Sequence, residues 1–134
     1  MFNLNETLDK EKAKNISSIT IAFVGDAVYS LYVREKLAFN SDSKSGELNK
    51  LSSKVVCAVA QAKFVDSILP ILSEEETEVY KRARNTKKGT RAKNASVSEY
   101  NKSTGFEAVL GFLYITGNYD RLNYILNYNA TEIK

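Results

Sequence analysis

Two acidic residues lie inside long apolar stretches of this 134-residue chain. Asp26 is the only charged residue of ITIAFVGDAVYSLYV, residues 19–33, and Glu107 holds the same place in STGFEAVLGFLY, residues 103–114. A carboxylate in apolar surroundings is costly unless a cation or a hydrogen-bond donor meets it. Mg²⁺ prefers oxygen ligands and is often held by one or two carboxylates together with water and phosphate. The two acids are therefore candidate magnesium ligands.

The same pattern also fits a purely structural role. The positions one helical turn from Asp26 hold no basic residue, so its partner must come from elsewhere in the chain. A distant lysine such as Lys54 or Lys63 would form a buried salt bridge, and backbone amides would also satisfy a carboxylate. The pattern alone does not show that Asp26 and Glu107 meet in space, so both interpretations stay open at this point.

Basic residues are concentrated in one internal segment. Residues 81–102 contain eight of the 19 lysine and arginine residues and a single acidic residue, Glu99, whereas the rest of the chain has an excess of acids. A local excess of positive charge is typical of a surface that contacts phosphates. A solvated run of charges is the alternative. Charge alone does not distinguish RNA from DNA or from an anionic membrane surface.

Composition excludes several other kinds of site. The chain has no histidine and one cysteine, Cys57, which excludes a histidine-based catalytic triad, a zinc site or a disulfide within one chain. The first residues lack the pattern of a signal peptide, and no apolar run reaches the roughly 18 residues of a membrane span. We expect a cytoplasmic protein of one domain, residues 1–134.

Apolar residues at steps of three and four predict an all-α fold of five or six helices. Ser17 or Ser18 is expected to cap a helix over residues 19–39, which is apolar nearly all round and therefore expected to be central. A second long helix is predicted over residues 47–69, with Pro70 near its end.

Capping signals predict the remaining helices. Ser73 with Glu76, and Ser96 with Glu99, have the spacing of a capping box, in which each side chain binds the other residue's backbone amide. Gly117 is expected to end the helix that begins near Val97. Asp120 is expected to cap a short last helix with apolar residues Leu122, Ile125 and Leu126.

Both acidic motifs resemble those of the ribonuclease III family. FVGDAV, residues 23–28, is similar to the signature helix of that family, and STGFEAVLGFLY is similar to its second acidic helix. With RARN and KKGT between the two motifs, the chain resembles the compact bacterial branch of the family, Mini-ribonuclease III, over residues 17–127. The resemblance implies a ribonuclease III-like helical catalytic domain without the usual double-stranded-RNA-binding domain.

The resemblance also implies roles for individual residues. Asp26 and Glu107 match the catalytic, Mg²⁺-binding acids of the family. Two earlier glutamates of the family signature align with Ile19 and Ala22, and a further family aspartate aligns with Thr104. We expect Thr104 either to orient a water near the metal or simply to pack.

The activity implied by the resemblance is Mg²⁺-dependent cleavage of double-stranded RNA that leaves 5′-phosphate ends. The implied substrate is the precursor of large-subunit (23S) ribosomal RNA, with a large-subunit ribosomal protein as an expected helper. The implied assembly is a homodimer, with the apolar flank of residues 21–33 as its seam or, alternatively, as intramolecular core. Phosphate contacts are expected from the basic segment, namely from Arg82, Arg84, Lys87, Lys88, Arg91 and Lys93.

Two other functions compete with a nuclease. The reduced set of acids would also suit a helical RNA-binding or ribosome-assembly module that has lost catalysis. A plain helical adaptor between proteins would leave the two acids in apolar stretches unexplained.

Overall fold

The computed structural model describes residues 6–40, 47–48, 50, 52–53, 58–87 and 95–128, and within these ranges it contains helices and no strand. The predicted all-α class is confirmed. The helices are α1 (Lys10–Lys14), α2 (Ser18–Asn40), α3 (Ala58–Ile68), α4 (Glu74–Asn85), α5 (Val97–Ile115) and α6 (Tyr119–Leu126), with a 3₁₀ turn at Leu69–Ile71.

Helix α5 is the centre of the fold. It contacts α2, α3, α4 and α6, and most of its residues between 103 and 113 are buried. The prediction that α2 would be apolar and central is half correct. One side of α2 packs along α5, but its other side is open, with Phe23 78% exposed and Leu31 62% exposed. The apolar character of α2 therefore exceeds what this chain alone buries.

Local sequence signals placed most helix ends correctly. Both capping boxes are present, since Ser73 bonds with Glu76 and Ser96 with Glu99 at distances of 2.8–3.1 Å. Gly117 ends α5 with a positive φ of 75°.

One helix end and one additional helix differ from the sequence expectation. The prediction for Asp120 is wrong, because Asn118 occupies the N-cap position of α6 and Asp120 lies inside the first turn. There its charge still favours the positive end of the helix. Helix α1, which Asp9 caps, was not predicted, since five residues give too short a pattern of apolar spacing.

The predicted second helix is described only in part. Ala62 and Val65 lie on its buried face, and Pro70 lies in the 3₁₀ turn that follows α3. Leu51, Val55 and Cys57 lie outside the described residues. Within the described ranges, no helix combines the length and the apolar character needed to cross a membrane.

Candidate active site

Two glycines bring α2 and α5 into backbone contact. A Cβ atom added to Gly25 would lie 1.7 Å from the carbonyl oxygen of Glu107, and one added to Gly111 would lie 2.1 Å from that of Ile21. No side chain fits between the helices at these points. Because Gly25 precedes Asp26 in α2 and contacts the backbone of Glu107 in α5, the crossing sets the two acids side by side.

The two predicted acids meet. The carboxyl groups of Asp26 and Glu107 lie within hydrogen-bond reach of each other, although the two residues are far apart in the chain. Glu107 is partly buried, as its apolar sequence surroundings predicted. The same expectation is wrong for Asp26, which is exposed, because its apolar neighbours Phe23 and Ala27 lie on the open side of α2.

The surroundings of Glu107 oppose its ionisation. Burial first, and then the adjacent Asp26 carboxyl, raise the pKa of Glu107 to about 9, while a hydrogen bond from Gln61 acts in the opposite direction. Within the described ranges, no lysine or arginine forms an ion pair with either acid, and Lys63 is exposed and unpaired with them. Lys54 lies outside the described residues. For the part of the chain that is described, a salt bridge does not explain the acids.

Two polar residues that sequence analysis missed complete the surroundings of Glu107. The Nε2 of Gln61 in α3 donates to Oε2 of Glu107 over 3.5 Å, and the Ser103 hydroxyl donates to Oε1 of Gln61 over 2.5 Å. Gln61 shares the buried face of α3 with Val65 and Ile68. A polar residue at a core position of an apolar helix is the signal that would have found it, since the same reasoning singled out Asp26 and Glu107.

The pair of acids suits a divalent cation that needs few protein ligands. Among the described residues no group of three or more acidic, histidine or cysteine side chains could hold a metal. A Mg²⁺ ion is commonly held by one or two carboxylates while water and substrate phosphate fill its other positions. A positive ion between Asp26 and Glu107 would relieve the repulsion that arises when both are ionised. The donor set therefore fits Mg²⁺ better than a metal that requires a full cage of protein ligands.

Thr104 is buried, and its hydroxyl donates to the backbone carbonyl of Tyr100 in its own helix over 3.0 Å. This bond occupies the hydroxyl proton and leaves the oxygen able to accept. A role for Thr104 near the metal stays a prediction.

The described part of the basic segment lies on α4 and just beyond it. Arg82 donates to the backbone carbonyl of Lys14 over 3.1 Å, and the Arg84 guanidinium lies 5.5 Å from the centre of the Tyr80 ring. An arginine has five N–H donors, and the Nε of Arg84 donates to Oδ1 of Asn85 over 3.1 Å. Lys87 is exposed. Lys88, Arg91 and Lys93 lie outside the described residues, and the role of all six in binding RNA stays a prediction.

Comparison with known proteins agrees with this geometry. Residues 20–118 match the model of the Ribonuclease III domain. The chain is 43% identical to a Mini-ribonuclease 3 of Thermoanaerobacter sp. (strain X514), across 96% of this chain and 91% of that protein. It is 45% identical to a Mini-ribonuclease 3 of Streptococcus pneumoniae, across 89% and 94%.

A solved structure shares the fold. A crystal structure of a Fusobacterium nucleatum protein superimposes with a TM-score of 0.79 and 29% sequence identity, over 88% of this chain and 94% of that one. The matched domain spans both acids, the glycine crossing and the basic segment. From the domain match and the relatives together, the chain belongs to the ribonuclease III family, and it is an endoribonuclease that acts on double-stranded RNA.

Proposed function

We propose that this chain is a Mg²⁺-dependent endoribonuclease whose catalytic centre is built on Asp26 and Glu107. The observation that carries the proposal is the contact between these two carboxyl groups, which no cation of the described part of the chain neutralises. Placing two acids together raises the free energy of the metal-free site when both are charged. Such an arrangement is typical of a site that binds a positive ion.

The roles of the chain's own residues follow from their positions. Asp26 presents its carboxylate from the open side of α2, whereas Glu107 presents its own from the interior, so an ion held by both would lie at the boundary between protein and solvent. When bound, Mg²⁺ supplies positive charge to the scissile phosphate and makes a water molecule more acidic. The backbone contact at Gly25 fixes how closely α2 and α5 approach and so keeps the two carboxylates next to each other. This preserves the geometry that in-line attack requires.

A duplex substrate requires contacts beyond the metal centre. RNA duplexes are recognised mainly by shape and through phosphates and 2′-hydroxyl groups. The basic segment supplies suitable groups: Arg82, Arg84 and Lys87 lie on or after α4, which packs against the helix that carries Glu107. We include Lys88, Arg91 and Lys93 in this proposed surface because they continue the same run of positive charge.

The open side of α2 is the proposed seam of a homodimer. Ile19, Phe23, Ala27 and Leu31 follow one another at steps of four, so they form a single apolar stripe along the helix. All four are exposed, and Phe23 and Leu31 are exposed by 78% and 62%. An exposed apolar stripe of this length is typical of a protein interface. Asp26 lies beside the stripe, so pairing of two copies would set a metal centre near the seam on each side.

The finer identity of the substrate follows from the resemblance to the compact branch of the family. We propose that the chain is a single catalytic domain that matures the precursor of 23S ribosomal RNA in the cytoplasm, with a large-subunit ribosomal protein as helper. Cleavage is proposed to leave 5′-phosphate ends.

The decisive experiment is cleavage of a long RNA duplex by purified protein with Mg²⁺ or with EDTA. Asp26→Asn and Glu107→Gln each remove a charged ligand at nearly constant volume, so we expect cleavage to fall by roughly 10³-fold or more while duplex binding persists. Glu78→Gln, an exposed glutamate of α4, is the matched control and should cut normally.

Two results would overturn the proposal. Full cleavage by both site variants would mean that the acids do not form the centre. Binding of the duplex by the unaltered protein without cleavage at any Mg²⁺ concentration would favour the inactive RNA-binding or ribosome-assembly module.

A further inference from the structure

One fully buried polar side chain, which carries no charge, contacts the proposed metal centre. Gln61 lies on α3 and is 0% exposed, and its amide nitrogen faces the Oε2 atom of Glu107. Leaving a primary amide in an apolar core is costly unless its donors and acceptor are used. Its position among core residues such as Val65 therefore calls for a reason beyond packing.

The orientation of the Gln61 amide is fixed from the other end. The Ser103 hydroxyl, one turn before Glu107 in α5, donates to the Gln61 carbonyl oxygen over 2.5 Å. With its oxygen bonded to Ser103, the amide turns its NH₂ group toward Glu107, which is the end that an acceptor-only carboxylate requires. Ser103 and Glu107 face α3 from successive turns of one helix, and Gln61 bridges them.

This bridge determines which part of Glu107 is available to an ion. A carboxylate has two oxygens, and the Gln61 amide donates to one of them, Oε2. At 3.5 Å the donated hydrogen bond is long, but it favours one orientation of the carboxylate and also favours its ionised form. Oε1 takes no part in this bond, and it is the oxygen that we assign to a cation shared with Asp26.

We propose that Gln61 is a positioning residue of the metal centre: held by Ser103, it fixes the Glu107 carboxylate so that one oxygen is presented to the divalent ion. This inference rests on the proposed function, since it requires that Glu107 is a metal ligand. Groups that orient metal ligands through hydrogen bonds typically change metal affinity by 10–100-fold when they are removed.

Gln61→Met tests the proposal, because methionine keeps an unbranched side chain of similar length and removes the amide donor. Ser103→Ala is the second variant, since it keeps Gln61 and removes only the bond that orients it. Phe64→Leu is the matched control: Phe64 is buried on the same helix and packs against Phe106 without contacting Glu107 through a hydrogen bond.

Three quantities are measured on the full chain. Mn²⁺ binding, followed by calorimetry and electron paramagnetic resonance without RNA, reports on the metal centre directly. Cleavage of duplex RNA is measured at varied Mg²⁺ and at varied RNA concentrations. These measurements separate the maximal rate from the half-saturating RNA concentration. Thermal unfolding of each variant shows whether it is folded at the assay temperature.

We expect Gln61→Met to raise the Mn²⁺ dissociation constant by about 10-fold or more and Ser103→Ala to raise it by less. Cleavage at limiting Mg²⁺ should fall in the same order, while the half-saturating RNA concentration stays unchanged. Phe64→Leu should lower the unfolding temperature and leave Mn²⁺ binding unchanged.

The outcomes separate this inference from the proposed function. If the unaltered protein does not bind Mn²⁺, or if Glu107→Gln does not remove that binding, the proposed metal centre itself is wrong. If that binding is present but folded Gln61→Met and Ser103→Ala bind Mn²⁺ as the unaltered protein does, Gln61 has only a packing role and the inference is overturned.

Discussion

Two glutamates of this molecule have opposite surroundings. Glu76 in α4 is 4% exposed and accepts hydrogen bonds from Arg121 and from the Ser73 backbone at 2.8–2.9 Å. Burial alone would raise the pKa of Glu76, but the bonds from Arg121 and Ser73 outweigh that effect and lower it. Glu107 has an acid, Asp26, where Glu76 has an arginine, and its pKa is raised to about 9.

The difference distinguishes an acid that stabilises the fold, Glu76, from an acid that is placed to bind a ligand, Glu107. The bonds of Glu76 stabilise the fold, since Arg121 joins α4 to α6 and Ser73 caps α4 itself. Glu107 instead sits beside an acid of like charge, which adds nothing to stability. An acid whose neighbours disfavour its charge is a functional candidate because the cost is retained in the native state.

The largest expected effect is at the glycine crossing of α2 and α5, because the contact between Asp26 and Glu107 depends on it. Gly25→Ala would force a Cβ atom within 1.7 Å of the Glu107 carbonyl oxygen, so α2 must move away from α5. We expect a loss of roughly 3 kcal/mol or more in the free energy of unfolding, together with loss of cleavage, because the two acids separate. Denaturant unfolding and duplex cleavage measure the two effects.

Gly117→Ala is the control for this experiment. It strains a positive-φ position at the end of α5, so it should cost about 1 kcal/mol while cleavage per folded molecule remains. A Gly25→Ala protein with normal stability and cleavage would show that the close contact between α2 and α5 is not required.

The two glutamates should also respond oppositely to loss of charge. Glu76→Gln leaves the Arg121 charge without its partner, so we expect the free energy of unfolding to fall by roughly 2–4 kcal/mol. Arg121 is partly exposed, which moderates the loss. Glu107→Gln removes a carboxyl group whose ionisation burial and Asp26 oppose, so stability of the metal-free protein should be unchanged or higher.

Denaturant unfolding in EDTA compares the two variants directly. The comparison would be contradicted by equal destabilisation, which would mean that Glu107 has a structural partner as Glu76 does.

Low pH should lower the free energy of unfolding through Glu76, with a smaller effect than the substitutions above. A carboxyl group whose pKa is lower in the folded chain than the usual 4.5 stabilises the fold above that value. This contribution is lost as the pH falls below about 4.5 and through the folded pKa. Unfolding free energies measured from pH 6 to pH 3 should therefore fall less steeply for Glu76→Gln than for the unaltered protein.

Glu74→Gln, an exposed glutamate in the same first turn, is the control for the acid experiment and should keep the steeper fall. If the free energy of unfolding of Glu76→Gln depends on pH as that of the unaltered protein does, the ion pair of Glu76 does not contribute to the loss of stability in acid.

Sequence reasoning succeeded where the cause is local. The capping boxes at Ser73 and Ser96 were predictable because each joins residues three positions apart. The second role of Glu76, its pair with Arg121, was not predictable, because nothing in either segment specifies how α4 meets α6. The Asp120 prediction failed since Asn118 at the start of α6 makes no side-chain capping bond that a pattern could signal.

The metal centre shows the same division. The residue types around Asp26 and Glu107 marked them as unusual, but their meeting depends on a helix crossing that only tertiary structure or a family resemblance could supply. Gln61 was missed although its position in an apolar run carried the same signal as Glu107. A search of core positions for every polar residue, and not for charged residues alone, would have found it.

The smallest expected effect concerns the basic segment, whose charges are proposed to contact RNA phosphates and not the metal. Arg82, Arg84 and Lys87 changed together to glutamine should weaken duplex binding and make the plot of log affinity against log salt less steep by about 0.7–0.9 for each lost phosphate contact. Lys12→Gln, an exposed lysine of α1 outside the segment, is the control. Filter binding of a non-cleaving Asp26→Asn protein at several salt concentrations measures both slopes. An unchanged slope would place the phosphate contacts elsewhere. A flatter slope, with normal Mn²⁺ binding when the same three substitutions are made in a protein that keeps Asp26, would show that RNA and metal are bound by separate sets of charges.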